Sequence, residues 1–285
     1  MISFPNCKIN LGLSVLNKRT DGFHNLETVF YPLLLKDILE VIESEKESEF
    51  STSGLNIKGN ENDNLCLKAY NLLKKDFPDL PTVKIHLHKA IPMGAGLGGG
   101  SANGAFMLQL LNNKFKLGLS TEKLIEYSLQ LGSDCPFFQI NKPCIANGRG
   151  EILEQIDLDL SSFKFLIVVP DIHINTSGAF SELNLQSKVD PPGKIKNIIS
   201  QSIETWKDLL VNDFEKIIFS KHPETSLIKE KLYEAGATYA SLSGSGSAVY
   251  GIFKKEMEIN IVFPQTYYKK LLNAGKTESW KENGI

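Results

Sequence analysis

Five glycines crowd into the seven residues Gly94–Gly100, between a segment that alternates like a β-strand, Val83–His88, and one with helical apolar spacing, Ala102–Leu111. Glycine lets the backbone adopt φ > 0 and come close to another group. The first N–H groups of a helix have no internal partner and point outward. The helix dipole adds roughly half a positive charge at the same place. A strand, a glycine turn and a helix N-terminus therefore suit an anion, and phosphate is the natural guest. Ser101 is the expected N-cap of the helix.

Three phosphate-loop types can be compared with these residues. A Walker A loop ends in Gly-Lys-Ser/Thr, whereas this one ends Gly100-Ser101-Ala102. Gly94-x-Gly96-x-x-Gly99 matches the dinucleotide fingerprint. However, Thr121–Leu131 reads as a second helix where that fold needs a strand and a ribose-binding acid. A phosphate loop of another fold remains. A flexible loop without a ligand would carry the entropy of so many glycines uncompensated.

Composition narrows the function classes. A chain of 285 residues forms one large or two ordinary domains with a substantial core. A net charge of −2 argues against nucleic-acid or membrane-surface roles that rest on bulk charge. No apolar run approaches the length of a membrane span. Met1–Asn6 lacks the basic and long apolar regions of a secretory signal. Cys7, Cys66, Cys135 and Cys144 are scattered, which fits a reduced cytoplasm and argues against a zinc site.

Taken in order, Lys8–Val15 alternates as a strand, with Ile9, Leu11, Leu13 and Val15 on one face and Lys8, Asn10, Gly12 and Ser14 on the other. The polar face could orient a phosphate or a hydroxyl, or could simply be solvated. Asp21-Gly22 marks a turn that sets Phe23 and His24 at a loop edge, either to bind or to pack a hairpin. Strands are expected over Leu26–Leu35 and Ile38–Ile42, followed by a solvated acidic loop, Glu43–Glu49. Asp63 or Asn64 caps a helix carrying Leu65, Ala69, Leu72 and Leu73. His86 and His88 share a half-polar strand face, a better reading than a metal pair. Ser120 caps the helix that Gly132 ends, and Asp134 follows in a turn before Pro136. Two short strands flank Asn147–Gly150 within Cys144–Ile156.

Character changes near Asp157–Phe163, which divides the chain into domains 1–157 and 158–285. Phe165–Val169 reads as a strand buried on both faces. Thr176 or Asn175 caps a short helix containing Phe180. A loop is expected over Asp190–Gly193, and helices over Lys194–Phe219 and from Pro223 to Gly236. Ala240–Phe253 is a second glycine-serine turn leading into a strand, its small residues permitting close approach to a ligand or to the first glycine loop. Ile259–Phe263 reads as a strand or a helix edge.

These pieces, in this order, resemble the GHMP kinase superfamily of small-molecule kinases. The likeness rests on Lys8-Ile9-Asn10, on Pro92-Met93-Gly94-Ala95-Gly96-Leu97-Gly98-Gly99-Gly100-Ser101-Ala102, and on Leu242–Ala248. It covers nearly the whole chain and is weakest after Phe253. Asp21–His24 and Leu131–Phe137 are similar to the branch whose acceptor is a cytidine-diphosphate-linked methylerythritol, although that branch usually has Tyr where Phe23 stands. The resemblance implies an α+β, two-domain GHMP kinase fold with an N-terminal nucleotide-binding domain and a C-terminal ferredoxin-like domain. It implies Lys8 and Asp134 as catalytic residues, Pro92–Ala102 as the ATP-phosphate loop, and Asn10, Phe23, His24 and Phe180 as substrate-binding residues. The implied reaction moves the ATP γ-phosphate to the 2-hydroxyl of the erythritol moiety in the non-mevalonate isoprenoid route. Mg²⁺ is expected with ATP, and Ser101 is a candidate contact for it. The partners expected are small molecules, with no nucleic acid and no membrane. The alternatives are another acceptor within the superfamily and a catalytically silent nucleotide sensor.

Overall fold

A computed structural model describes residues 1–57, 60–183 and 193–273. The early strands are β1 (Ile2–Ser3), β2 (Asn6–Lys18), β3 (His24–Lys36), β4 (Ile38–Glu43) and β5 (Glu49–Gly54). Then come α1 (Leu65–Asp76), β6 (Val83–Lys89), α2 (Gly99–Phe115), α3 (Thr121–Leu131) and α4 (Phe137–Ile140). β7 (Cys144–Asn147), β8 (Ile152–Gln155) and β9 (Phe163–Val169) precede α5 (Thr176–Ser181) and α6 (Lys194–Ile199). The chain continues through α7 (Trp206–Leu209), α8 (Glu215–Lys221), α9 (Pro223–Glu234), β10 (Tyr239–Leu242), β11 (Val249–Lys254) and β12 (Tyr268–Asn273).

The chain forms two compact units. The first comprises Met1–Cys7, Leu35–Met93 and Leu97–Ile140, and the second comprises Lys8–Leu34, Gly94–Gly96 and Asn141–Ile285. This partition is discontinuous and differs from a single cut at 157, because residues 8–34 and 141–157 pair with each other through β3 and β7. Local periodicity does not report such long-range strand partners.

In the first unit the sheet order is β1-β4-β6-β5, with β5 parallel to β6. One face of the sheet carries Leu39, Val41, Ile85 and Leu87 into a core with Ala69 and Leu73 of α1, Met107, Leu108 and Leu111 of α2, and Leu124 of α3. Asn64 caps α1 through the Cys66 amide, and Ser120 caps α3 through that of Lys123, as those residue types do at helix starts. β5 reaches into the acidic stretch expected to be loop. Its alternation is weak, and its pairing with β6 supplies what propensity does not. His86 bonds the Ser51 and Ser53 hydroxyls and His88 that of Ser53, so both imidazoles belong to a polar sheet face.

The second unit holds the sheet β2-β3-β7-β8 and the sheet β10-β11-β9-β12. Numbered from β9, the latter reads 2-3-1-4, the ferredoxin-like order. Helices fill its first connection, but residues 255–267 cross the second without one. Ile259–Phe263 is therefore neither strand nor helix, and β12 completes the sheet beyond it. Phe214, Ile218, Ile228 and Leu232 of this unit pack with Leu242, Val249 and Phe253. The helical stretch after Lys194 is broken into α6, a 3-10 turn, α7 and α8. Of the loop expected at Asp190–Gly193, residues 190–192 lie outside the described residues.

All four cysteines are free thiols with no exposed surface. Among the described residues, no helix is long and apolar enough to cross a membrane.

Candidate active site

In the first unit the glycine loop runs directly into α2. Gly98 is left-handed (φ +68°), and its carbonyl accepts from the Ala102 amide at 2.9 Å, so the helix begins at Gly99. Ser101 is therefore inside the first turn and is not the cap. The left-handed glycine starts the helix three residues earlier than a Ser101 cap would. Burial pushes the pKa of the Cys135 thiol up to about 12, a rise that the nearby Ser101 hydroxyl reduces. Asp134 precedes that cysteine, in the turn between α3 and α4. A Cβ added at Gly100 would meet nothing within 4 Å, so this residue faces open space. Gly100, Met93 and Asn103 border a cavity of about 440 Å³ that is also lined by Phe50, Ile57 and Leu65.

Beneath the loop lies a charged group that local sequence did not reveal. Asp37, Lys89 and Asn103 are all buried. Asp37 accepts from Lys89 Nζ, from Asn103 Nδ2 at 2.8 Å, and from the Ala90 and Ile91 amides at 2.7 and 2.9 Å. Lys89 also donates to Asn103 Oδ1 at 3.0 Å. The network ties the end of β6 to the start of α2, the two ends of the glycine loop. In the sequence Lys89 follows two exposable histidines and reads as a surface lysine.

In the second unit the polar face of β2 is buried, which overturns the solvated alternative. Lys8 and Asn10 are only 3% and 2% exposed. Lys8 Nζ donates to Asn10 Oδ1 at 2.7 Å and lies 4.7 Å from the Phe30 ring centre. Asn10 Nδ2 donates to Thr28 Oγ1 at 3.0 Å, and the Asn10 carbonyl accepts from the Tyr250 hydroxyl at 2.7 Å. Gly94–Gly96 belongs to this unit, where the second glycine-serine turn approaches it. The Ala248 amide donates to the Ala95 carbonyl at 3.0 Å and Ser243 Oγ to the Gly96 carbonyl at 2.9 Å. The small residues of that turn thus serve contact with the first glycine loop. Buried Asn212 steadies the turn, donating to the Leu242 and Gly244 carbonyls at 2.8 Å each.

The Asp21–His24 loop is in the same unit. Phe23 is 51% exposed, with the Arg149 guanidinium 4.7 Å from its ring centre. The His24 ring stacks on Phe180 at 5.0 Å and 17°, and Phe180 meets Phe214 edge-on at 4.8 Å. Burial, followed by the Lys18 charge, lowers the His24 pKa. Of the expected substrate-binding residues Asn10, Phe23, His24 and Phe180, His24 and Phe180 stack directly, whereas the Phe23 ring faces Arg149. Lys8 and Asn10 are likewise together, whereas Lys8 and Asp134 fall in different units.

Residues 64–140 match the model of the GHMP kinases N terminal domain, and residues 194–265 that of the GHMP kinases C terminal domain. A 4-diphosphocytidyl-2-C-methyl-D-erythritol kinase of Bacteroides fragilis is 49% identical over 262 residues, spanning 91% of this chain and 94% of that protein. The chain belongs to the GHMP kinase family. A crystal structure of 4-(cytidine 5'-diphospho)-2C-methyl-D-erythritol kinase superposes on this GHMP kinase with a TM-score of 0.77 at 26% identity, over 96% of this chain and all of that one (100%). The Methanococcus jannaschii mevalonate kinase, 14% identical, shares the fold with a TM-score of 0.69 over 96% of this chain and 98% of that one. The α+β GHMP kinase fold expected from the motifs is the fold observed.

Proposed function

We propose that this chain is an ATP-dependent 4-diphosphocytidyl-2-C-methyl-D-erythritol kinase, which transfers the γ-phosphoryl group to the 2-hydroxyl of the methylerythritol moiety in non-mevalonate isoprenoid precursor synthesis. The observation that carries this reading is the 49% identity to the Bacteroides fragilis kinase over 94% of that protein's length.

Phosphoryl transfer requires positioning and charge stabilisation more than covalent participation by the protein. Pro92–Ala102 supplies the phosphate cradle at the start of α2, where Gly100 borders open space. The adjoining cavity, of a size usual for small-ligand sites, suits the nucleoside end. Mg²⁺ would neutralise phosphate charge. Among the described residues, no three His, Cys, Asp or Glu side chains cluster. That fits an ion held largely by phosphate oxygens and water, with Ser101 as the protein hydroxyl at the loop.

Asp134 takes the proton from the acceptor hydroxyl as general base. Lys8 stabilises the charge that develops on the transferring oxygens, and its bond to Asn10 sets its direction. Phe23, His24 and Phe180 hold the cytosine. An exposed ring offers a stacking face, and a neutral imidazole offers one donor and one acceptor to a base edge. Asn10 orients the acceptor. A cytoplasmic location accords with these soluble substrates.

The test is ADP release with the cytidyl acceptor, with and without Mg²⁺, beside homoserine, mevalonate and galactose. Turnover on the cytidyl acceptor alone supports the proposal. Turnover on one of the others reassigns the acceptor, and none on any acceptor makes the chain a silent nucleotide binder.

A further inference from the structure

Phe23 poses a physical problem. An aromatic ring half in water at the tip of a turn has free rotamers, and a base that stacks on it must first order it, a loss felt directly in affinity. The structure holds the ring from the other side of the chain. Arg149 lies in the turn between β7 and β8, flanked by Gly148 and Gly150, both with positive φ (+67° and +110°). The Gly148 carbonyl accepts from the Leu26 amide at 2.7 Å, which fixes this turn against the strand that starts at His24. Glu151 clamps the arginine: its carboxylate accepts from the Arg149 amide at 2.5 Å and from Nε at 3.4 Å. The guanidinium is then 4.7 Å from the Phe23 centroid. On the Phe23 side, the Phe23 amide donates to Asp21 Oδ1 at 3.1 Å, and the Phe23 carbonyl accepts from the Arg19 amide at 2.8 Å. Asp21 is itself paired with Arg19 at 2.9 Å. Arg149 is thus held by Glu151 and directed at the ring.

We propose that Arg149 is a positioning residue for the base of the acceptor substrate: its guanidinium, clamped by Glu151, covers one face of Phe23 and leaves the other set for cytosine. The proposal rests on the reading that the Phe23–His24 loop receives that base. A planar guanidinium stacks on a ring face in a way that a lysine ammonium does not. The ring lacks a hydroxyl, so a hydrogen bond from its own tip cannot fix it, and the stack supplies that constraint instead. Cytosine on the free face would complete a guanidinium–phenyl–base stack.

The experiment is calorimetric titration of cytidine 5'-diphosphate into wild type, Arg149→Ala, Phe23→Leu and the double variant, with ATP titration and thermal melts of each. Stacking of this kind at an exposed site corresponds to about a two- to fivefold change in Kd. Arg149→Ala is expected to weaken cytidine 5'-diphosphate by that factor, with ATP affinity and the melt unchanged. In the Phe23→Leu background the same substitution is expected to have no further effect, because the ring through which it acts is gone. A full effect of Arg149→Ala in that background would overturn the proposal by showing direct action on the diphosphate. Equal losses for both nucleotides with a lowered melt would reduce Arg149 to a structural role and also overturn it. If Phe23→Leu weakens cytidine 5'-diphosphate and Arg149→Ala does not, this proposal alone fails. If neither variant nor His24→Ala weakens it, the cytosine reading itself fails.

Discussion

Ser243 and Gly96, 147 residues apart, are joined by a 2.9 Å hydrogen bond from the Ser243 hydroxyl to the Gly96 carbonyl. The same hydroxyl accepts from the Asn10 amide at 3.3 Å, so one buried oxygen serves the phosphate loop, the C-terminal glycine-serine turn and the strand that carries Lys8. Ser243→Ala leaves the part-buried Gly96 carbonyl and the buried Asn10 amide without that partner, at a cost of about 1–3 kcal/mol. Gly96→Ala is expected to be worse. Its Cβ would fall 2.0 Å from the Ser243 carbonyl oxygen at φ +78°, a conformation that also disfavours a side chain. Urea denaturation of both variants gives the ranking, and an unchanged midpoint for Ser243→Ala would show that the bond carries no stability.

Asp134→Asn should retain the fold and ATP affinity while kcat falls about 10²–10⁴-fold, the usual worth of a general base. The residue lies in a turn, where asparagine is accommodated. Lys8→Ala should also damage kcat, but here a lowered melt is expected as well, since the ammonium is buried over Phe30. Wild-type turnover in Asp134→Asn would remove it from the reaction.

Lys89→Met leaves the buried Asp37 carboxylate without its cation, and breaking such a pair costs about 3–5 kcal/mol. Adding Asp37→Asn removes the stranded charge yet keeps an acceptor for the Ala90 and Ile91 amides. The double variant is therefore expected to unfold at higher denaturant than Lys89→Met alone. A double variant that is weaker by the sum of the two single losses would show that no such coupling exists.

His24 has a pKa lowered from its ordinary 6.5, by burial first and the Lys18 charge second. In the window just below 6.5 the unfolded chain therefore binds more protons than the folded one. The stabilising contribution of neutral His24 is present above pH 6.5 and is lost as the pH falls through the folded pKa. If the neutral ring reads the base, KM for the cytidyl acceptor should be flat above pH 6.5 and rise on acidification, while KM for ATP does not follow it. NMR titration of the imidazole locates the pKa, and His24→Gln should flatten the acid limb.

The elements that organise the fold were legible because they rest on local chemistry. Glycine density marked the phosphate loop, Asn64 and Ser120 marked helix starts, and alternation marked β2 and β6. The side of β2 that matters was visible as a pattern, but its burial was not, since Lys8 and Asn10 become interior only through Thr28, Ser243 and Tyr250, far along the chain. β5 and β12 carry little local signal for a similar reason: each is an edge strand ordered by its neighbour. Asp37, Lys89 and Asn212 look like surface residues in sequence, and only the tertiary structure shows them to be buried hydrogen-bonding centres. Ser101 falls inside the helix instead of capping it because Gly99 and Gly100 extend α2 backward past it.

The interior position of all four thiols has a practical consequence. Burial pushes the pKa values of Cys66, Cys135 and Cys144 up to about 12, so little reactive thiolate is available for a reagent in solution. A single cysteine engineered at an exposed position, such as Val262 on the connection before β12, can therefore be expected to take up a maleimide dye selectively. The native chain thus serves as its own silent background for fluorescence labelling, without prior removal of cysteines that the core needs.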